Sequence, residues 1–530
     1  MRQQTLLCLN RAVRWKGSSL KHDTRQGFGS FHSEDVEELI RQPVSQYRAP
    51  AVLAEVAPRS ADFATTLGKT PLGKATRLEL FSLDSSFTFL NHGAFGAALR
   101  PLQDEAQAWR ARLEAQPLRF YDREMLPLVA HAVREMAVFL GCPATELFPL
   151  PNVTAGLNAV FASVEPSLSS GDIVACTSLT YGSTKKMLAA LAQRTGCSFV
   201  IIPVTLPVSP DASSVGDDVC HALQRMLPAH GRLKLKLVVL DTVTSNTAIR
   251  LPVGSISRRI RKIDGCSDGD GGPFIIADAA HSFMTENSIS LPTATTASAS
   301  AAPAGPGGAE DLRGIDAWLT NLHKWGCAPR GVGFMWASSR LQKILRPAII
   351  SHGFDVPVPA PLALSASPPP PARPSGARLL SGFSWDGCRD YAALLTTPST
   401  LSFWSRAAPE AISYSSSLLS SGVMMLRQEW RPSEAAAPRF LIRNSEEGGG
   451  GRARVPTMTL VPLPDRVAGG IDTTKGCSDA QAFALQNALY EQGVEVPVKC
   501  IGGRLYLRIS CHIHNDEDDF ARLAAVLKKI

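Results

Sequence analysis

Two hydrophobic periods alternate along this chain. LFPL (Leu147–Leu150), LKLVVLD (Leu235–Asp241), PFIIAD (Pro273–Asp278) and GIDAWLTN (Gly314–Asn321) are short runs rich in apolar residues, each closed by a polar residue or a turn. Runs of this length and composition predict buried strands. After LFPL the period lengthens. Leu157, Val160, Phe161 and Val164 fall on one face of a helix that begins beyond a Pro-Asn turn. Short strands separated by helical patterns predict an α/β fold with a mostly parallel sheet and crossover helices. Ligands of such sheets bind outside the carboxyl ends of the strands. The polar residues at those ends, Asp278, His281, Asn321, His323 and Lys324, are therefore the candidate site residues.

Elsewhere the periodicity lapses. Residues 1–75 show little of it and read as a disordered extension. Pro292–Gly308, Val356–Gly376 and a stretch around Pro432–Gly451 are rich in Pro, Ala, Ser and Gly, and KIDGCSDGDGGP before Phe274 is similar. Such composition buries too little apolar area to offset its ordering entropy. The expected organisation is a large domain over 76–355 with an insertion at about 286–310, a Pro-rich linker over 356–380, and a small domain over 381–530 with an insertion at about 431–455. No internal repeat is evident.

Composition narrows the function classes. The chain has 530 residues, 45% of them apolar, and a mean hydropathy of +0.01. No apolar run is long enough to span a bilayer. The net charge of +7 comes from scattered residues, unlike the clustered Lys/Arg of a nucleic-acid groove. Neither a membrane nor a nucleic acid is expected as partner. The 11 cysteines include no CxxC pair, which points to reduced thiols in an intracellular compartment. Met1–His22 carries Arg2, Arg11, Arg14, Lys16 and Lys21 and no acidic residue. That segment resembles a mitochondrial transit peptide, or it is a basic tail. The expected location is cytoplasmic or mitochondrial.

Three stretches carry chemistry. Asp278 closes an apolar strand, where a carboxylate needs a cationic partner or hydrogen bonds. Asn152, Thr154 and Gly156 open the helix after LFPL, where backbone N–H groups and the helix dipole favour an anion. Lys324 lies between His323 and Trp325, ahead of a Gly/Pro-rich turn. Each alone has a bland reading: a cap, an ordinary helix start, a surface lysine. Together they match the needs of pyridoxal phosphate, which takes a lysine on its aldehyde and a carboxylate on its ring nitrogen. Other motifs fail. GKT at Gly68–Thr70 lacks the first glycine of a P-loop, Phe63 standing there, and there is no GxSxG or HExxH.

The same stretches resemble the class V aminotransferase family of fold type I pyridoxal phosphate enzymes. The branch they resemble is the isopenicillin N epimerase-like one, which includes cysteine desulfhydrase-like and sulfoxide lyase-like members. FLNHGAFG (Phe89–Gly96), PNVTAGLN, TYGSTKKM (Thr180–Met187), DTVTSNTAIRLPV (Asp241–Val253), DAAH (Asp278–His281), NLHKWGCAPRGVGF, IISHGF (Ile349–Phe354), FSWDGCRDY (Phe383–Tyr391) and LRISCHIHN (Leu507–Asn515) follow the family's order. The resemblance runs from about Phe89 to Ile530, apart from the insertions. It implies a large domain with a mostly parallel seven-stranded sheet, a smaller C-terminal α+β domain, and a homodimer with the active site at its interface. It also implies roles. Lys324 would hold the cofactor aldehyde and move the Cα proton, Asp278 would face the pyridinium, and His281 the ring hydroxyl. Tyr181 would stack on the ring. Val153, Thr154, Asn321 and His323 would bind phosphate, Thr244 and Ser245 would lie near the ring, and Arg508 with Asn91 would hold the substrate carboxylate.

The chain also departs from the pattern. Cys388 stands where the family commonly has a threonine that reaches the neighbouring subunit's phosphate. His512 and His514 replace residues that are usually Gln and Tyr. With Cys511 they raise the thought of a metal, but a strand puts only the two histidines on one face. No metal is expected. Cys500 and Cys327 read as structural. The expected activity is Cα deprotonation of a small amino-acid substrate, followed by β-elimination at a carbon–sulfur bond. An epimerase or an aminotransferase is the alternative, and a catalytically inactive cofactor-binding scaffold is the alternative of another class.

Overall fold

The computed structural model describes residues 35–56, 70–229, 234–263, 272–285, 312–354, 379–430, 455–464 and 475–530, with short pieces at 266, 289–290, 310–311, 442, 466–467 and 471–473. The basic N-terminus and, apart from Ile442, the three low-complexity stretches lie outside the described residues.

In chain order the elements that place the site are α1 (Val36–Arg41), β1 (Thr88–Phe89), α2 (His92–Phe95), α3 (Arg100–Ala115), α4 (Met125–Leu140), β2 (Leu147–Leu150), α5 (Val153–Val164), β3 (Asp172–Thr177), α6 (Gly182–Thr195), β4 (Ser198–Ile202), β5 (Lys234–Asp241), β6 (Phe274–Asp278), β7 (Ala317–Asn321) and β8 (Gly333–Ala337). They are followed by α7 (Thr397–Trp430), β9 (Met458–Pro462), α8 (Asp479–Glu491), β10 (Val494–Glu495), β11 (Val498–Ile501), β12 (Arg504–Ser510) and α9 (Glu517–Leu527).

Seven strands form one sheet in the order β2-β8-β7-β6-β5-β3-β4. Only β8 runs against the others, pairing antiparallel with β7 and β2. This is the expected α/β fold. Strands β2, β3, β7 and β8 are buried along their whole length, because helices cover the sheet and each strand needs apolar residues on both faces. α5 packs on β7 and β8, and α6 on β3 and β4. The Asn152 side chain accepts from Ala155 N at 2.9 Å and caps α5. The face read from the sequence, Leu157, Val160, Phe161 and Val164, is buried.

A second apolar core lies around the antiparallel sheet β9-β12-β11. α8 packs on β11, and α9 on α7. The 34-residue helix α7 serves both cores. Leu401, Phe403, Trp404, Ala407 and Ala411 join the large core, and Leu418, Leu419 and Leu426 join the small one. Side chains from Phe383 to Leu395, placed by sequence with the small domain, also pack in the large core.

Residues 35–56 differ from the expected extension. Val36, Leu39 and Ile40 are buried in the large core, with α1 against α4. Arg134 Nη1 donates to Leu39 O, Ile40 O and Gln42 O at 2.9–3.0 Å. The segment is too short to show a clear period, and its order comes from this docking. Among the described residues no helix is long and apolar enough to cross a membrane.

Candidate active site

Two carboxylates meet at the ends of neighbouring parallel strands. Asp241 ends β5, Asp278 ends β6, and they are register partners. Both are buried, and burial drives both side chains toward the protonated form. Asp241 is pushed up to about 8, with the Asp278 charge adding to desolvation. Its Oδ1 accepts from Tyr181 N at 3.2 Å, and Asp278 Oδ1 accepts from Ala280 N at 3.1 Å.

Beyond β7 the chain turns through His323 to Lys324. Lys324 Nζ lies 3.2 Å from His281 Nε2. Burial pulls Lys324 down to about 8, against the opposing pull of the Asp278 carboxylate. Burial, with Lys324 and Arg508 nearby, holds His281 well below the usual histidine range, so the ring is neutral. The loop is held from outside by the chain after β1. Gly96 sits at φ +69, and a Cβ there would collide with His323 O and lie 2.8 Å from Lys324 Cα. Arg330 Nη2 also donates to Gly96 O at 3.0 Å.

β12 brings Arg508 to the same place. It is 4% exposed. Its Nη1 donates to Ser245 O at 2.8 Å and its Nη2 to Asn91 Oδ1 at 3.0 Å. Asn91 Nδ2 donates to Glu495 Oε1 at 2.9 Å. Burial pulls Arg508 down to about 10.

At the start of α5, Asn321 Oδ1 accepts from Val153 N at 3.0 Å. Two N–H groups of this turn, those of Val153 and Ala155, thus already have side-chain acceptors, whereas the sequence left them open. Thr154 is exposed there. His323 Nδ1 is 3.1 Å from Val332 O, and burial pulls it down to about 4. Tyr181 is 47% exposed at the start of α6. Ser245 enters through its backbone, and the Thr244 hydroxyl contacts Thr247 Oγ1 at 2.6 Å.

The structure therefore brings Lys324 together with His281, Asp278 and Arg508, Arg508 with Asn91 and Ser245, and Val153 with Asn321. Cys388 is exposed and hydrogen bonds Tyr121. It touches none of these residues in the contacts described. Asp241, the first residue of DTVTSNTAIRLPV, joins this group only through the fold. Its signal was the polar end of an apolar strand, the same one that exposed Asp278. A cleft of about 620 Å³ opens nearby, lined by Thr180, Lys185, Thr247, Lys499 and Cys500 among others.

No protein-family model matches the chain. It is 26% identical over 459 residues to an isopenicillin N epimerase of Amycolatopsis lactamdurans, an alignment covering 86% of this chain and 98% of that protein. It is 25% identical over 338 residues to putative L-cysteine desulfhydrase 1 of Oryza sativa subsp. japonica, covering 62% of this chain and 60% of that protein. A solved structure of a cystine C–S lyase in complex with its product, cysteine persulfide, superposes with a TM-score of 0.58 at 18% identity, over 84% of this chain and 98% of that one. The fold is that of the fold type I pyridoxal phosphate enzymes. The homologues are named isopenicillin N epimerase and L-cysteine desulfhydrase, in agreement with the class V aminotransferase resemblance of the motifs.

Proposed function

We propose that the chain is a pyridoxal phosphate-dependent enzyme that removes the Cα proton of an amino acid and cleaves a carbon–sulfur bond by β-elimination. The observation that carries this reading is Lys324 Nζ, buried 3.2 Å from a neutral His281. Asp278, Asp241 and Arg508 lie close enough to act on its charge. Three buried atoms around it have no hydrogen-bond partner among the described residues: Asp241 Oδ2, His281 Nδ1 and Arg508 Nε. Buried polar atoms without partners cost free energy, and these three fit the cofactor and its substrate. A carboxylate oxygen would accept from a ring N–H, an imidazole nitrogen would serve a ring hydroxyl, and a guanidinium would hold a substrate carboxylate.

When bound, pyridoxal phosphate supplies an electron sink for the pair left at Cα. The chain's own residues supply the rest. Asp278 and Asp241, side by side at the strand ends, would together hold the proton on the ring nitrogen. The two carboxylates, costly to ionise alone, gain a cation to face. Lys324 Nζ, lowered to about 8, is unprotonated often enough near neutrality to serve as a base; it would hold the cofactor aldehyde and take the Cα proton. His281 steadies that amine and can pass its proton on. Arg508 orients the substrate carboxylate with a planar fork, and Asn91 fixes the fork against Glu495. Asn321, His323 and the first turn of α5 would take the phosphate. Exposed Tyr181 and Cys388 fit a homodimer in which a second protomer covers the site.

Epimerisation is the second reading. It is favoured by the named epimerase, which aligns over 98% of its own length. The test is a visible spectrum of wild type and Lys324→Ala with pyridoxal phosphate, followed by L-cysteine and assays for sulfide and pyruvate. A cofactor band that needs Lys324, with sulfide and pyruvate released together, supports the lyase. A band with inversion of the amino acid and no sulfide supports the epimerase. A wild type without a band overturns both.

A further inference from the structure

The antiparallel strands β11 and β12 turn opposite faces to the two cores. Val498, Leu505, Leu507 and Ile509 join the small core, whereas Tyr506 joins the large one. Lys499 is the register partner of Tyr506, and Arg508 lies two residues further along β12. Lys499 and Arg508 therefore leave the sheet on one face, the face turned to the large domain. They are diagonal neighbours across the pair, a relationship that sets residues about 7–8 Å apart. Arg508 spends its Nη atoms on Ser245 O and Asn91 Oδ1. Lys499 is half-buried, and its ammonium has no ion pair among the described residues.

The cleft of about 620 Å³ opens at this face, lined by Thr180, Lys185, Asn246, Thr247, Gln486 and Lys499 among others. Thr180 precedes Tyr181, whose N–H is held by Asp241. Asn246 follows Ser245, whose carbonyl is held by Arg508. The cleft thus begins one residue away from two contacts of the proposed reaction centre. Its volume is that of a small-ligand pocket, about 300–1,000 Å³, and a bare thiol would leave most of it unfilled. Its polar lining is weighted to donors. Lys185 Nζ gives one N–H to Ser178 O at 2.6 Å and has others to offer. Gln486 Oε1 accepts from Val498 N at 3.1 Å, which leaves its NH₂ group to donate. Asp479 also lines the cleft, but it is exposed, so salt and water screen its charge. Burial and the Arg508 charge pull Lys499 below the ordinary lysine range, and Asp479 opposes this only in part. A half-buried ammonium beside a second cation calls for an anion.

We propose that this cleft takes the sulfur substituent of the substrate and that Lys499 holds a carboxylate at its far end. The preferred substrate is then an S-substituted cysteine with a second acidic group. The inference deepens the proposed carbon–sulfur elimination and rests on it for the bond that breaks. Arg508 holds the α-carboxylate, and the substituent extends between the two domains to Lys499. When the Cβ–S bond breaks, sulfur leaves with the electron pair and takes a proton. The product is a thiol that carries the second carboxylate. Lys499 is thus a residue that selects the substrate.

The test compares S-propyl-L-cysteine with S-(2-carboxyethyl)-L-cysteine, near-isosteres that end in a methyl group and a carboxylate. Pyruvate release gives kcat/KM for both compounds with cofactor-loaded, full-length wild type, Lys499→Gln and Lys499→Arg. The wild type is expected to favour the acidic compound. Lys499→Gln lowers that preference roughly 10–10²-fold, the worth of a hydrogen bond to a charged group, mainly through KM, and Lys499→Arg keeps it. The same preference is read as a Kd by calorimetry in the Lys324→Ala background, where the compounds are not consumed. Equal values for the two compounds in wild type, or a preference that survives Lys499→Gln, overturns the proposal. So does an equal loss for both compounds in Lys499→Gln, which would place Lys499 on the α-carboxylate. A Kd preference that needs Lys499, in a protein whose wild type releases no pyruvate from either compound, sinks the elimination reading and leaves the site standing.

Discussion

Asp241 and Asp278 are register partners at the carboxyl ends of β5 and β6. Two buried carboxylates side by side resist ionisation together, and that gives the protein a pH signature. Asp241 rises from 3.8 to about 8 on folding. A carboxyl whose folded value is raised contributes stability that is full below its unfolded value and lost as pH climbs through its folded value. Protein stripped of cofactor is therefore expected to lose stability between about pH 4 and pH 8. Asp241→Asn should flatten that slope and raise the Tm near pH 8. Thermal melts of both proteins across this window check it. A slope that Asp241→Asn leaves unchanged would assign the loss to other groups.

Removing the amine at Lys324 should abolish proton transfer. Lys324→Ala is expected to lower turnover by at least about 10²–10⁴-fold, the usual scale for a positioned acid–base group. Folding should be intact, because the residue is lost with its own burial cost. Turnover and far-ultraviolet circular dichroism on one preparation measure the two effects separately.

Arg508 makes two hydrogen bonds through its Nη atoms and keeps Nε unpaired. Arg508→Lys keeps the charge but not the planar fork. The expected loss in kcat/KM is roughly 10–10²-fold, the worth of a hydrogen bond to a charged group, mostly through KM. A variant whose KM is unchanged would remove Arg508 from the substrate carboxylate.

Gly96 lets the chain after β1 approach the Lys324 loop. Gly96→Ala adds a methyl group that collides with His323 O, in a left-handed backbone of φ +69. Left-handed strain and overpacking together predict a cost of about 1–3 kcal/mol. A lowered Tm, with the spectrum of the bound cofactor displaced, is the expected result. Gly141→Ala is the control, since φ there is +66 but a Cβ meets nothing within 4 Å. It should show the backbone cost without the spectral change.

The sequence alone determined four strands of the sheet, β2, β5, β6 and β7, the helix start at Asn152, and Asp278, Asn321 and Lys324 at or just beyond strand ends. These features rest on local periodicity, and a period of two or of 3.6 is written into neighbouring residues. Tertiary structure decided what depends on contacts between distant segments. Residues 35–56 show no clear period and fold because Arg134 and α4 receive them. α7 gives its first half to one core and its last part to the other, so no change of composition marks the passage. Asp241 becomes notable only because β5 lies beside β6. His92, Cys327 and His512 are separated by 235 and 185 residues, and nothing in their flanking sequence says that they meet. Their meeting is a consequence of packing the small domain's last strand against the loop that carries Lys324, and packing is the property that a linear pattern does not encode.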